Sequence, residues 1–393
     1  MNTKTIIIIG SVIIALLLAA FVYLLFFGTP KSVQDIWANL GERGQTDPGG
    51  IIPPVVEPTR PVITTRPRLR QLTQKPVAGF VETTYNNQLH VQFVEMGTGH
   101  IYRIDLNASP EERLSNTTIK EASLASFSSD GQRVAIRGSN TQRFAPITLG
   151  TLLGNGELSE VSELTEVIEE FQFSGTSTLL YTMRQPGVGL SARALDTVTG
   201  SSSALFTIPF FEARVIWGTS TRSTHYAYVK PTTMLEGYLY SFHNNRMRRT
   251  PIGGFGLTVV PPVGDYVLYS LVSNRTYEGT LRNLMAGYTA EVPIVALPEK
   301  CTSQSTGEPI VWCAFRAGNE WRDQMPDAWY KGQIGFRDEL YKINLEEEST
   351  LWLIDTFEET NRDVDVWNLT LGASEKNLYF INKNDNTLWL YEL

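Results

Sequence analysis

The sequence offers few residues for covalent or metal chemistry. It contains two cysteines and four histidines in 393 residues. The histidines are scattered, and neither cysteine has a histidine at ligand spacing, so we expect no metal site. The chain also lacks a Gly-x-Ser-x-Gly nucleophile turn and a glycine-rich phosphate-binding loop with lysine. We therefore expect no catalytic residue and no cofactor.

The charge balance is mildly acidic, with a formal net charge of −8. It gives the chain no electrostatic reason to bind nucleic acid. Six glutamates lie between Glu157 and Glu170, but they alternate with apolar residues, which predicts a solvated strand face rather than a calcium site. Arg246, Arg248 and Arg249 are expected to lie on an outer strand, where their charge would protect an open edge.

A sequence repeat organises most of the chain. Its landmark is an apolar residue, then a small polar turn, then a second apolar run, as in Phe127-Ser-Ser-Asp-Gly followed by Val134-Ala-Ile136. Seven landmarks begin at positions 84, 127, 173, 217, 260, 301 and 371. Five of the six spacings lie close to the length of a four-stranded propeller blade, about 40–45 residues.

The two ends of the repeat region complete each other. Leu388–Leu393 reads as the third strand of the seventh repeat, and no outer strand follows it. Arg68–Thr73 resembles an outer strand and comes just before the first inner strand, Val77–Thr83. Ring closure protects strand edges, so we expect Arg68–Thr73 to be the outer strand of blade seven. Residues 68–393 are thus predicted to form an all-β, seven-bladed β-propeller.

Two short motifs carry a family resemblance. Phe127-Ser-Ser-Asp-Gly-Gln132 is similar to the Ser-Pro-Asp-Gly turn of TolB-like and WD-repeat-like propellers of bacterial envelopes, with Ser129 in the place of the proline. His100-Ile-Tyr-Arg-Ile-Asp105 resembles a strand of that family. The resemblance covers residues 68–393 and implies a bacterial cell-envelope protein.

The N-terminal region predicts a membrane anchor. Ile6–Phe27 contains no charged residue, and at 1.5 Å per residue it would extend about 33 Å, enough to cross a hydrocarbon core of about 30 Å. A cleaved signal peptide is the alternative, but its apolar region normally has only about 7–15 residues. We expect residues 1–27 to form a cytoplasmic tip and an uncleaved transmembrane helix.

Residues 28–67 are expected to connect the anchor to the propeller. Ser32–Leu40 has the pattern of a short juxtamembrane helix, since Ser32 begins it and Gly41 ends it. Residues 41–67 contain six prolines and no helical period. Proline-rich segments remain extended, so this one would act as a tether that lets the propeller reach a partner.

The cysteines bear on orientation, which the flanking Lys4, Lys31 and Arg43 do not decide. Cys301 and Cys313 fall on consecutive strands of one blade. They either form a disulfide, which persists in oxidising compartments, or remain two buried free thiols. On balance we expect a cytoplasmic N-terminus and an extracytoplasmic propeller.

The one long spacing indicates an insert of about 26 residues in blade five, between Phe315 and Asp338. Insertions in repeat folds usually lie on one face, often the binding face. The insert contains residues of the types that anchor interfaces: Trp321, Met325, Trp329 and Tyr330. These are the candidate partner-binding residues. The alternative is that they fold back to plug the ring or to cap the blade.

Together these features predict a membrane-anchored module that binds a protein or a cell-envelope polymer, without catalysis. The alternative is a propeller enzyme that acts on a carbohydrate through carboxylates from different blades converging at the channel mouth. An open cleft ringed by charged residues would favour the enzyme. A plugged channel with an exposed aromatic loop would favour the binding module.

Overall fold

The computed structural model describes residues 66–393, apart from 107–109, 139–144, 154–155, 293, 305–306 and 317–323. The predicted transmembrane helix, the juxtamembrane helix and the tether up to residue 65 lie outside the described residues. Within the described ranges, no helix is both long enough and apolar enough to span a membrane.

The strands form seven four-stranded antiparallel sheets, which are the blades. Blade one contains β2 (Val77–Tyr85), β3 (Gln88–Glu95), β4 (Ile101–Asp105) and β5 (Glu112–Ser115). Blade two contains β6 (Leu124–Phe127), β7 (Arg133–Arg137), β8 (Ile147–Leu152) and β9 (Leu158–Leu164). Blade three contains β10 (Ile168–Ser174), β11 (Thr178–Gln185), β12 (Gly189–Asp196) and β13 (Ser202–Ile208).

The other four blades follow in chain order. Blade four contains β14 (Ala213–Ile216), β15 (His225–Val229), β16 (Glu236–His243) and β17 (Arg246–Phe255). Blade five contains β18 (Thr258–Val259), β19 (Tyr266–Ser273), β20 (Thr276–Asn283) and β21 (Thr289–Val292). Blade six contains β22 (Cys301–Ser303), β23 (Ile310–Phe315), β24 (Glu339–Asn344) and β25 (Ser349–Asp355). Blade seven contains β26 (Val366–Leu371), β27 (Asn377–Asn382), β28 (Leu388–Glu392) and β1 (Leu69–Gln71).

Tight asparagine-containing turns join several of these strands. Asn86 and Asn87 between β2 and β3 both have positive φ, and so do Asn244 and Asn245 between β16 and β17. Two-residue hairpin turns of this type need positive φ at both positions, which asparagine tolerates better than most residues. The local sequence therefore fixes the register of these hairpins.

The blades are arranged radially, with their first strands innermost. First strands of neighbouring blades contact one another, as β2 does with β6 and β22 with β26. Seven buried apolar clusters each combine residues of two neighbouring blades. Ala135 of blade two, for example, shares a cluster with Phe171 and Phe173 of blade three. Most of the apolar core therefore lies between blades.

The ring closes through the predicted shared blade. β1 pairs antiparallel with β28, with Leu69 opposite Tyr391 and Gln71 opposite Trp389. Leu69 is buried in the cluster between blades six and seven. The seven-bladed prediction and its closure by an N-terminal strand are confirmed, with the strand shorter than Arg68–Thr73.

The insert occupies the connection between β23 and β24. Numbered along the chain, this blade is the sixth, so its assignment to blade five was wrong. The insert contains the short helix α1 (Asp327–Tyr330). A second helix, α2 (Thr356–Thr360), follows β25, and the Asp355 carboxylate caps it by accepting a hydrogen bond from the Phe357 N–H at 2.8 Å.

Removing β1 should destabilise the whole ring, because blade seven would lose a buried leucine and would expose the edge of β28. Burial of one leucine alone stabilises a fold by about 1.5–3 kcal/mol. We expect a chain that starts at Lys75 to unfold at a clearly lower temperature than a chain that starts at Arg66. Both keep β2 intact, and equal melting temperatures would contradict the shared-blade closure.

Candidate functional site

The insert lies at one end of the blades, which we call the insert face. In an antiparallel blade, the loop between the second and third strands and the loop that leads into the first strand lie at the same end. The insert is a loop of the first kind, and Lys300, just before β22, lies in a loop of the second kind. Residues from several blades can therefore meet the insert near the axis.

Four charged or polar side chains meet there, and we call them the Arg214 cluster: Glu170, Arg214, Glu299 and Tyr330. Arg214 of β14 pairs with Glu170 of β10 at 3.2 Å and also with Glu299. The Tyr330 hydroxyl of the insert donates to Glu299 at 2.9 Å. Because these residues come from blades three, four and six and from the insert, they can converge only near the ring axis.

Burial and charge set the ionisation of this cluster. Burial raises the pKa of Glu170 above its ordinary value, although Arg214 and the Val215 N–H oppose the shift. Burial disfavours the charge on Arg214, but Glu299 and Glu170 outweigh it and raise the pKa of the guanidinium. Burial and the Glu299 charge raise the pKa of Tyr330. Ion pairing with Arg214 therefore stabilises the buried carboxylates of the cluster.

A second group, the Lys300 cluster, consists of Lys300, Trp329, Asp338 and Asp365. The Lys300 ammonium is buried, and it donates to Asp365 Oδ1 at 2.5 Å and to Asp338. The Trp329 indole N–H of α1 lies 3.1 Å from both Asp365 oxygens. The insert is thus fixed to the starts of the inner strands of blades six and seven.

Asp338 is the least satisfied member of the Lys300 cluster. Its Oδ2 accepts from the Val366 N–H at 2.7 Å, while its Oδ1 is buried without a hydrogen-bond partner. Burial raises the pKa of Asp338 to about 6, despite the lowering effect of Lys300. Burial disfavours the Lys300 charge, yet Asp338 and Asp365 raise its pKa above the ordinary value. A single lysine thus forms ion pairs with two buried carboxylates.

The structure separates the four predicted partner-binding residues. Trp321 lies outside the described residues. Met325 and Trp329 are 2% and 0% exposed and pack with Tyr277 of blade five. Tyr330 is half-buried and bonded to Glu299. The burial of Met325 and Trp329 fits the alternative in which the insert folds back onto the ring, so these two side chains do not present an exposed binding surface.

Exposed apolar side chains occur instead on blade four, beside the insert. Met234, Leu235 and Phe255 are 85%, 50% and 48% exposed. They lie close together, because Phe255 pairs with the residue next to Leu235 across β16 and β17. We call them the apolar patch. The insert borders it, since Asp327 of α1 accepts hydrogen bonds from the Thr232 hydroxyl at 2.8 Å and from the Thr233 N–H at 2.6 Å.

Sequence reasoning missed both charged clusters. It placed Glu170 on a solvated face, whereas its side chain faces Arg214, and only the glutamates nearer β9, such as Glu163, are exposed. Lys300 and Asp365 stand immediately before the inner strands of blades six and seven, and Glu299 precedes Lys300. Charged residues just before inner strands are visible in the sequence. Their ion-pair partners could not be predicted, because the partners lie on other blades.

The two cysteines are joined in a disulfide between β22 and β23, where Cys301 and Cys313 are directly opposite each other. Both are buried in the apolar cluster between blades five and six. The bond ties the inner strand of blade six to its neighbour, close to Lys300 in the chain.

Comparisons with known proteins show only distant structural similarity. No protein-family model and no curated protein matches the chain. Among solved structures, it is similar to the β-propeller domain of the Trilobed protease from Pyrococcus furiosus, described as having an open velcro topology, with 11% identity and a TM-score of 0.49. That match covers 80% of this chain and 95% of the other. It is also similar to the β-propeller domain of Myceliophteria thermophila Cps50 (Swd1), with 9% identity, a TM-score of 0.48, and coverage of 83% and 99%.

Replacing the buried lysine tests the Lys300 cluster. Lys300→Met should lower the free energy of unfolding by about 3–5 kcal/mol at pH 8, because it leaves two buried carboxylates unpaired. Burial already raises the pKa of Asp338 to about 6, and removing the ammonium will raise it further. The folded variant then binds more protons than the unfolded chain, so its stability should recover as the pH falls towards 6.

The exposed Lys376 provides the control. Lys376→Met removes the same charge from the surface of blade seven and should change the free energy of unfolding by less than about 0.5 kcal/mol. Denaturant unfolding at pH 8 and pH 6 measures both variants. A loss in Lys300→Met that is small, or that does not depend on pH, would contradict the assigned ion-pair geometry.

Proposed function

We propose that this chain is a membrane-anchored, extracytoplasmic β-propeller of the bacterial cell envelope that binds a protein or an envelope polymer and performs no catalysis. The fold is compatible with such a role, and the resemblance to TolB-like and WD-repeat-like propellers supports it. The observation that carries the proposal is the apolar patch on the insert face, because neighbouring exposed apolar side chains are typical of interaction sites.

The state of the channel mouth favours binding over catalysis. Glu170 and Glu299 are both engaged by Arg214, and Asp338 and Asp365 are both engaged by Lys300. A carboxylate that acts as a general acid or nucleophile must reach its substrate, whereas Asp338 and Asp365 are 0% and 1% exposed. These charges are better explained as the attachment of the insert to the ring.

The apolar patch has the composition of a binding surface. Methionine and aromatic residues are enriched at interfaces, since methionine adapts its shape and phenylalanine buries a large area. The hydrogen bonds from Thr232 and Thr233 to Asp327 hold the patch next to the insert. In this proposal the insert supports the loop that carries the patch, and Met234, Leu235 and Phe255 contact the partner.

One observation favours the carbohydrate-active alternative. Burial raises the pKa of Glu170, which is the direction required of a general acid, and Glu170 shares Arg214 with a second carboxylate. If the alternative is correct, Glu170→Gln will abolish glycosidase activity of the purified protein on cell-wall polysaccharide. In the proposed binding module there is no such activity to lose.

Site-specific crosslinking tests the apolar patch. With a photoreactive amino acid in place of Met234, we expect the full chain to form a discrete crosslinked product in native membranes. The same amino acid at Val198, which is 64% exposed on blade three, should form none and serves as the matched control. The combined substitution Leu235→Asp and Phe255→Asp should remove the product without lowering the melting temperature.

Stability distinguishes this surface from the buried residues. Trp329→Ala should cost about 3–5 kcal/mol of folding free energy, because it removes a fully buried tryptophan. Equal crosslinking at positions 234 and 198, or persistence of the product in the Leu235 and Phe255 variant, would count against the apolar patch as the partner-binding surface.

The disulfide tests the compartment. In protein isolated from its host, Cys301 and Cys313 should resist alkylation under denaturing conditions until a reductant is added, because disulfides persist in oxidising compartments. Mass spectrometry before and after reduction measures this. Two freely alkylated thiols would remove the main support for an extracytoplasmic propeller, and protease protection in intact cells would then have to decide the orientation.

A further inference from the structure

The outer strand of blade four is unusually long and open. β17 spans ten residues, with a register shift after Arg249, whereas the outer strands of the other blades, in the described part of the chain, have between three and seven. Its only partner in the sheet is β16. An open edge of this kind presents unpaired N–H and C=O groups to another chain.

The hairpin turn shows which backbone groups point outwards. Asn244 and Asn245 form a two-residue turn, so the flanking pair, His243 and Arg246, exchanges backbone hydrogen bonds. Backbone direction alternates along a strand, and the N–H and C=O groups of Met247 and Arg249 therefore point to the open edge. These groups provide a template for an added strand.

The edge carries positive charge on an acidic protein. Arg246 and Arg248 are exposed and lie on the same face of β17, about 7 Å apart. Neither guanidinium forms an ion pair with any described residue. The Arg249 guanidinium, on the opposite face, lies 3.5 Å from the centre of the Tyr238 ring. The formal net charge of the chain is −8. The positive charge repels other basic strand edges, which explains how this edge can remain open. The same charge attracts an acidic strand.

Cavities flank β17 on both faces. A cavity of about 800 Å³ lies on the side of blade five, and its lining includes Tyr226, His243, Arg246, Arg248 and Met285. A cavity of about 590 Å³ lies on the other face, and its lining includes Glu236, Tyr238, Arg249 and Pro251. When a peptide adds to a sheet edge, its alternate side chains point to opposite faces and enter such cavities.

We propose that the outer edge of blade four binds an extended acidic peptide by β-strand addition. The peptide backbone pairs with Met247 and Arg249, and its carboxylates contact Arg246 and Arg248. Because these arginines are two residues apart on one face, the peptide needs carboxylates at alternate positions. The turn at Asn244–Asn245 lies at the blade end opposite to the insert face, so this surface is distinct from the apolar patch and does not depend on the proposed function.

The test uses the full-length protein and a labelled peptide, acetyl-(Glu-Val)₄-amide, with fluorescence anisotropy as the readout. We expect this peptide to bind and its Lys-Val counterpart not to bind. The combined substitution Arg246→Gln and Arg248→Gln should weaken binding by about tenfold or more, because it removes both charge contacts. The control, Arg275→Gln with Lys376→Gln, removes two exposed positive charges elsewhere and should bind like the native protein.

A second arm tests the backbone pairing. Two peptides, N-methylated either on all glutamates or on all valines, differ in which alternate N–H groups they lack. Strand addition uses one alternate set, so one methylated peptide should lose binding and the other should keep most of it.

Any one of three results of the peptide assays would overturn the proposal: the acidic peptide fails to bind, the two methylated peptides bind equally, or the arginine variant binds the acidic peptide as tightly as the native protein does. A fourth contradicting result would come from sedimentation: if the native chain self-associates and the arginine variant does not, the occupant of the edge is a second copy of this chain.

Discussion

The structure depends on the requirement that every blade has a neighbour on both sides. The apolar clusters lie between blades, so a single blade buries little by itself and an open ring would leave two apolar faces in water. The pairing of β1 with β28 satisfies this requirement. It also explains why residues more than 300 positions apart in the chain act as one structural unit.

A second contact, at the seam between blades one and seven, strengthens the closure of the ring. Glu82 of β2 is buried between blades one and seven, and its carboxylate accepts hydrogen bonds from the Ser374 N–H at 2.7 Å and the Tyr379 hydroxyl at 2.7 Å. A buried carboxylate is costly unless several donors surround it. The approach is close enough that a Cβ on Gly372 would collide with the Glu82 side chain. The seam is therefore specified by polar groups as well as by apolar packing.

Much of the fold was predictable from the sequence, and little of the site was. The repeat spacing, the strand alternation and the missing outer strand are local or periodic signals, and they led to seven blades and to the closing strand. The charged clusters are different, since Arg214, Glu170 and Glu299 are separated along the chain and meet only because the ring brings the starts of inner strands together. The aromatic insert was recognised as special, but composition does not distinguish a tryptophan that faces a partner from one that faces Asp365.

The position of the insert affects which surface can serve the proposed binding function. Trp329 donates a hydrogen bond to Asp365, and Tyr330 donates one to Glu299. These aromatic side chains therefore attach the insert to the ring. Groups that stabilise a loop in this way are not free to contact a ligand without disrupting their own attachment. In the proposed function, recognition relies on side chains that the ring leaves exposed, and the largest of these beside the insert belong to blade four. Blade four also has the longest open edge among the described blades, and its two surfaces, apolar at one end and basic at the other, differ in the chemistry of the partner that each can accept.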